Sequence, residues 1–233
     1  MRATLLLLAA CAAPAPPPIA HHVTQPPAPT SPAPTVAFVD GRVTTTGLPA
    51  VSADGTAIVL AFSVTDPVLG RPGLALQIRD RLDRETGVKY VLGFDDADEP
   101  PAATAARFVD ANHWLVARHE AWHLVPMRTL SVTSLDEASF HHRATGDGIV
   151  VDWQPSQLAI SRGGAAPFTH ATPSTWLVAD RPMYAGAADL CSFPAFLQAA
   201  DIDTDRRVAV LSIAYMGTDT CPEPPPQPHV VHW

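Results

Sequence analysis

The sequence predicts a mainly β chain with one helix, an α+β protein whose strands form an antiparallel meander or open sandwich of unassigned strand order. Three observations carry this expectation. Short alternating or apolar β-rich runs recur through residues 36–233, punctuated by Gly, Pro, Asp and Ser turn signals. A single stretch near 101–118 places apolar residues at helical spacing. The hydrophobic content of 47% is ordinary for a globular protein, enough for the core of one β-rich domain over 36–233.

Taken in order, Val36–Val43 reads as a first strand. Ser52-Ala53-Asp54-Gly55 is a turn leading into Ala57–Thr65. After Pro67 and Gly70–Gly73, the segment Leu74–Arg81 sets Leu74, Leu76 and Ile78 against Gln77, Arg79 and Arg81, so one face is buried. Glu85-Thr86-Gly87 turns into Val88–Phe94. Pro100-Pro101 suit the first turn of a helix, with Asp98 and Glu99 favourable to its dipole. Phe108, Val109, Leu115 and Val116 are expected on its apolar face, and it is expected to end near Arg118. Trp122–Met127 has strand character, and Pro126 blocks further helix. Thr129–Leu135, Phe140–Ala144, Ile149–Trp153 after the Gly146-Asp147-Gly148 turn, Leu158–Ser161 and Trp176–Ala179 are candidate strands. Arg207–Tyr215 alternates strongly, and His229–Trp233 is expected as a last edge strand.

The stretch 52–95, with Ser52-x-Asp54-Gly55 before a strand and a later strand ending in Asp80, resembles one blade of a TolB-type or WD40-like propeller. No second copy recurs at a fixed period, so the residues themselves read as a generic meander.

Residues 1–10 carry one positive charge at Arg2, the apolar run Leu5–Leu8 and small residues before a cut site, the pattern of a secretory signal. The run is too short to span a bilayer, which takes about 20 apolar residues. Leu8-Ala9-Ala10-Cys11 resembles the lipobox of bacterial lipoproteins, and the chain resembles uncharacterised lipoproteins of high-GC Gram-negative bacteria. That resemblance implies cleavage before Cys11, acyl chains such as palmitate on this residue and, since Ala12 rather than Asp follows it, an address in the cell envelope at the outer membrane. Two or more acyl chains are what stable anchoring requires. Residues 11–35 are rich in Pro and Ala with little to bury, a semi-rigid tether reaching roughly 70 Å at about 3.1 Å per residue. His21-His22 lie within it and read as incidental.

The net charge is −8, Lys89 is the one lysine, and no basic run exists, so no nucleic-acid partner is expected. Once Cys11 carries lipid, Cys191 and Cys221 remain, an even pair in an exported chain, and a disulfide between them is expected. Closing that loop would contribute roughly 3–4 kcal/mol. Free thiols or a zinc pair are the alternatives, the latter without CxxC spacing to support it.

His119-Glu120-Ala121-Trp122-His123 fits the bare HExxH pattern of zinc metallopeptidases, in which two imidazoles four apart bind zinc while the Glu activates water. Ala121 stands where that family carries a bulky apolar residue, no His follows at the metzincin spacing, and Pro126 lies close behind. Glu137, His141 and His142 follow, but in no third-ligand motif. Asp201-Ile202-Asp203-Thr204-Asp205 has the alternating acids of a calcium loop, but Arg206 replaces the required Gly. Asp95–Glu99 reads as a solvated loop. Trp114, Trp122, Trp153, Trp176 and Trp233 suit either core packing or a sugar or peptide groove. With no nucleophile elbow, phosphate loop or dinucleotide motif present, the leading expectation is a non-catalytic envelope module, without cofactor, that binds an envelope protein or glycan. Alternatives are a zinc hydrolase using His119 and His123 with Glu120 as base, and a calcium-dependent carbohydrate binder.

Overall fold

A computed structural model describes residues 31–65, 70–177, 194–216 and 225–233. The expectations for Cys11, the signal, most of the tether and the Cys191–Cys221 disulfide lie outside the described residues.

Among the described residues the chain builds one α-helix, a two-stranded hairpin and three larger antiparallel sheets, the helix and these sheets stacking as four layers. A hairpin of β1 (Thr35–Val39) and β2 (Arg42–Thr46) comes first. Its turn is Asp40-Gly41, both at positive φ (49° and 75°), as a two-residue hairpin turn needs. The single strand expected over Val36–Val43 is therefore two, because Asp-Gly reverses the chain inside it.

Sheet I has the order β6-β5-β4-β3-β7, from β3 (Ala50–Val51), β4 (Ala57–Thr65), β5 (Pro72–Asp80), β6 (Glu85–Leu92) and β7 (Val125–Pro126). The segment likened to a propeller blade is thus a meander completed by β3 and the distant β7. Asp54 tightens its first turn, accepting from Ser52 Oγ at 2.6 Å and Thr56 N at 3.0 Å. After a 3-10 turn at Phe94–Asp98, α1 (Pro101–Trp122) covers one face of sheet I. Phe108, Ala111 and Leu115 pack on Val59, Leu74, Leu76 and Val91. Val109 and Val116 face solvent instead (54% and 39% exposed), since the buried stripe follows the 108–111–115–119 rows. The helix also runs past Arg118 to Trp122: Pro126 restricts only its own neighbourhood, and residues 119–122 contain no breaker.

Sheet II has the order β16-β15-β14-β8, with β8 (Arg128–Thr129), β14 (Ala195–Asp203), β15 (Val208–Tyr215) and β16 (Gln227–His232). Sheet III is the consecutive meander β9 (Ser131–Asp136), β10 (His141–Gly146), β11 (Ile149–Gln154), β12 (Gln157–Arg162) and β13 (Phe168–Ala171). Strand periodicity explains the stacking. On β15, Val208 and Val210 pack toward Ile58 and Leu60 of sheet I, whereas Ala209, Leu211, Ile213 and Tyr215 pack toward Trp153, Leu158 and Ile160 of sheet III. On β4, Ile58 and Leu60 meet sheet II while Val59 meets the helix layer. β15, and β4 over Ile58–Leu60, are buried on both faces, which is why these stretches run apolar almost without interruption. Trp176 sits in a 3-10 turn, Ser174–Trp176, rather than at the start of a strand.

Candidate functional site

Sheets II and III pack face to face, and their edge strands β16 and β13 line one side of the sandwich. Alternate residues of each strand point inward. From β13 come Phe168 and His170, whose rings lie 6.3 Å apart and nearly parallel (9°). His170 is followed by Trp176 at 6.4 Å, and Trp176 stacks on His229 of β16 at 4.2 Å. The four rings therefore run from the exposed His170 at the mouth of the sandwich inward to Trp176, which is buried in the core, and to the largely covered His229.

Two clefts open beside these rings, one at Phe168 and one at His170 and Trp176. The first, of about 560 Å³, is lined by Ile160, Arg162, Phe168, Thr204, Arg207 and Trp233. Arg207 has a positive φ of 56°. Its guanidinium carbon stands 5.3 Å from the Trp233 ring centre, a cation–π contact, and its carbonyl accepts from Trp233 N at 3.0 Å. The Trp233 indole N–H is buried without an acceptor among the described residues. Arg162 and Arg207 are both exposed, and neither forms an ion pair or donates a hydrogen bond among the described residues. The second cleft, of about 430 Å³, is lined by Arg81, Asp83, His170, Thr175, Trp176 and His232. Arg81 is likewise exposed and unpaired among the described residues. Burial, reinforced by the charge of Arg81, holds the His232 pKa below its usual range, so this ring is neutral at neutral pH.

Asp83 fastens the groove to sheet I. It sits at φ 60° in the β5–β6 turn, accepting from Arg79 Nη1 at 3.0 Å, from the backbone N of Val230 at 2.8 Å, and pairing with His229 Nδ1 at 2.8 Å. Val230 N points away from β15, so the carboxylate occupies an outward position on the edge of β16. Tyr215 supports the other side: its hydroxyl donates to Trp176 O at 3.1 Å, and burial pushes its phenol up to about 12.

The residues singled out in the sequence are distributed differently. His119 is buried, Glu120 is exposed, and His123 caps the helix in a left-handed conformation (φ 50°), its N–H still donating to His119 O at 2.8 Å. Nδ1 of each imidazole is buried with no partner among the described residues. No three His, Cys, Asp or Glu side chains converge on a metal position among the described residues. Asp203 is bound by Arg206 at 2.8 Å and Asp201 by Thr129 at 2.5 Å. Burial raises the Asp201 carboxyl above its ordinary range, against the lowering effect of Thr129. The calcium-like acids therefore lie largely on strand β14 rather than in a loop. His141 pairs with Asp152 at 2.8 Å, and Arg143 takes the other oxygen at 2.5 Å, a self-satisfied surface cluster.

Of the five tryptophans, Trp153 is wholly buried, Trp114 stacks under Arg118 at 4.3 Å, and Trp122 packs on the helix-layer core. Trp176 and Trp233 alone among them line the clefts. Sequence reasoning missed Arg81, Arg162, Arg207, Phe168 and His170. The Arg162-Gly163-Gly164 turn, without a nearby acid, was the one local signal. In comparisons with known proteins, the chain matches no family model, no curated protein and no solved structure.

Proposed function

We propose that this chain is a lipid-anchored envelope module that binds an acidic saccharide without catalysis, at the cleft of Arg162, Arg207, Phe168 and Trp233. The anchor rests on the lipobox-like Leu8–Cys11, and the tether would hold the body clear of the lipid. The observation that carries the ligand class is the pair of unpaired guanidiniums flanking an aromatic wall in a chain of net charge −8. Guanidinium forks match a carboxylate in bidentate geometry, and an aromatic face suits the C–H-rich face of a pyranose ring. The overall negative charge works against an anion only at long range, because exposed charges are screened beyond about 8 Å at physiological salt.

Isothermal titration of the full chain in detergent with galacturonic acid and its dimer tests this. Saturable binding is expected, weakened by added salt and abolished in the Arg162→Gln/Arg207→Gln double variant. Neutral galactose binding equally well, or the double variant binding unchanged, would refute it.

A further inference from the structure

We infer that the site is a track for an extended acidic glycan chain, which passes over Phe168 and His170 and occupies both clefts. The inference rests on the saccharide reading and extends it from one cleft to the whole mouth of the sandwich. Phe168 belongs to the first cleft and His170 to the second, yet they are neighbours on one face of β13 with nearly parallel rings. The two cavities are therefore joined by a continuous aromatic surface. Each has its own exposed, unpaired guanidinium: Arg162 and Arg207 at one end, Arg81 at the other. Cations repeated along an aromatic path suit a polymer that presents carboxylates at intervals between flat sugar rings. In the second cleft the Asp83 carboxylate does not cancel Arg81, since Arg79, His229 and Val230 N already engage it.

The same Asp83 closes one of the two sheet edges at which a peptide could add. A peptide bound at a sheet edge adds as a strand and needs the outward backbone N–H groups of that edge. Asp83 already holds the outward N–H of Val230 in the middle of β16. Main-chain pairing along β16 is blocked there, whereas stacking on Phe168 and His170 is not; a peptide added along β13 is what the oligoglutamate comparison detects.

The test compares galacturonic acid, its dimer and its hexamer, with oligoglutamate as a peptide polyanion, on the full chain in detergent. The hexamer is expected to bind at least roughly tenfold more tightly than the dimer, because a second contact made on the same chain is intramolecular. In an Arg81→Gln/His170→Ala variant, the hexamer should fall to the affinity that the dimer has for the parent chain. Both replaced side chains are exposed, and an unchanged thermal transition verifies folding. Equal affinity for dimer and hexamer, or a hexamer indifferent to the double substitution, overturns the track while leaving the single-cleft reading intact. Oligoglutamate binding as tightly as the hexamer overturns the glycan assignment. Failure of every acidic saccharide to bind removes the proposed function itself, and the track with it.

Discussion

Replacing Asn112 should loosen the N-terminal hairpin from the rest of the molecule. Asn112 projects from α1 and treats Val36 as a strand would: its Oδ1 accepts from Val36 N at 2.9 Å, and its Nδ2 donates to Val36 O at 2.9 Å. Val36 is 2% exposed, so in Asn112→Ala neither backbone group reaches water unless the hairpin moves. Two net hydrogen bonds are worth about 1–3 kcal/mol, and leaving both groups desolvated would cost more. Local opening sets the ceiling. Detaching β1 gives up the burial of Val36, about 1.5–3 kcal/mol, and the Phe38–Phe108 stack at 5.8 Å, about 0.5–1.5 kcal/mol. The loss should therefore be about 2–4 kcal/mol, with the hairpin opening before the body does. Asn112→Asp sharpens the test: it keeps an acceptor for Val36 N but sets a second oxygen against Val36 O, so at neutral pH it should be at least as damaging as Ala. Urea unfolding gives the magnitude, and hydrogen exchange of the Val36 amide gives the location. An Ala variant within about 0.5 kcal/mol of the parent, with Val36 protection intact, would show that the amide is not what holds the hairpin.

Asp83→Ala strips partners from Arg79, His229 and Val230 N together, and should lower stability by about 2–5 kcal/mol, read as a shift of the urea midpoint at constant slope. Tyr215→Phe removes the buried bond to Trp176 O and should cost about 1–3 kcal/mol while disturbing the near-ultraviolet signal of Trp176. His232 has a folded-state pKa depressed below 6.5 by burial and by Arg81, so the unfolded chain binds more protons as pH falls through this range. Its contribution is present above pH 6.5 and is lost as pH drops through the lowered folded value. His232→Gln should flatten that limb of the stability–pH curve, and an unchanged limb would contradict the assignment. Full chain produced with supplemental zinc should hold no stoichiometric metal. Tightly bound zinc lost on His119→Ala would favour the hydrolase reading over the binding module.

Much of the fold was legible because its strongest strands obey simple periodicity. Leu74, Leu76 and Ile78 do share the buried face of β5, and β15 falls within one residue of its expected span. Tertiary context decided the rest. β14 was hidden by Asp201 and Asp203, which read as turn acids until Thr129 and Arg206 are seen to satisfy them on a strand. In the adjacent pairs Phe108-Val109 and Leu115-Val116 only one member can face inward, and the sequence does not say which helical row meets the sheet. Arg207–Tyr215 reads as alternating in sequence, yet β15 is buried on both faces, because the stack that covers it depends on pairings far apart in sequence. The groove was least legible of all. Its arginines matter because none of them forms an ion pair among the described residues, and an ion pair not made leaves no mark in a linear string.

The plug that Asp83 places on β16 also constrains how this protein can vary. Surface turns ordinarily tolerate insertions and deletions, and residues 81–84 are a short exposed reversal of that kind. Here, adding or removing one residue would carry the carboxylate off Val230 and His229 at once. It would uncover a bare strand border open to edge-to-edge aggregation. Among relatives of this chain the reversal between β5 and β6 should therefore keep a fixed length, even where its side chains drift.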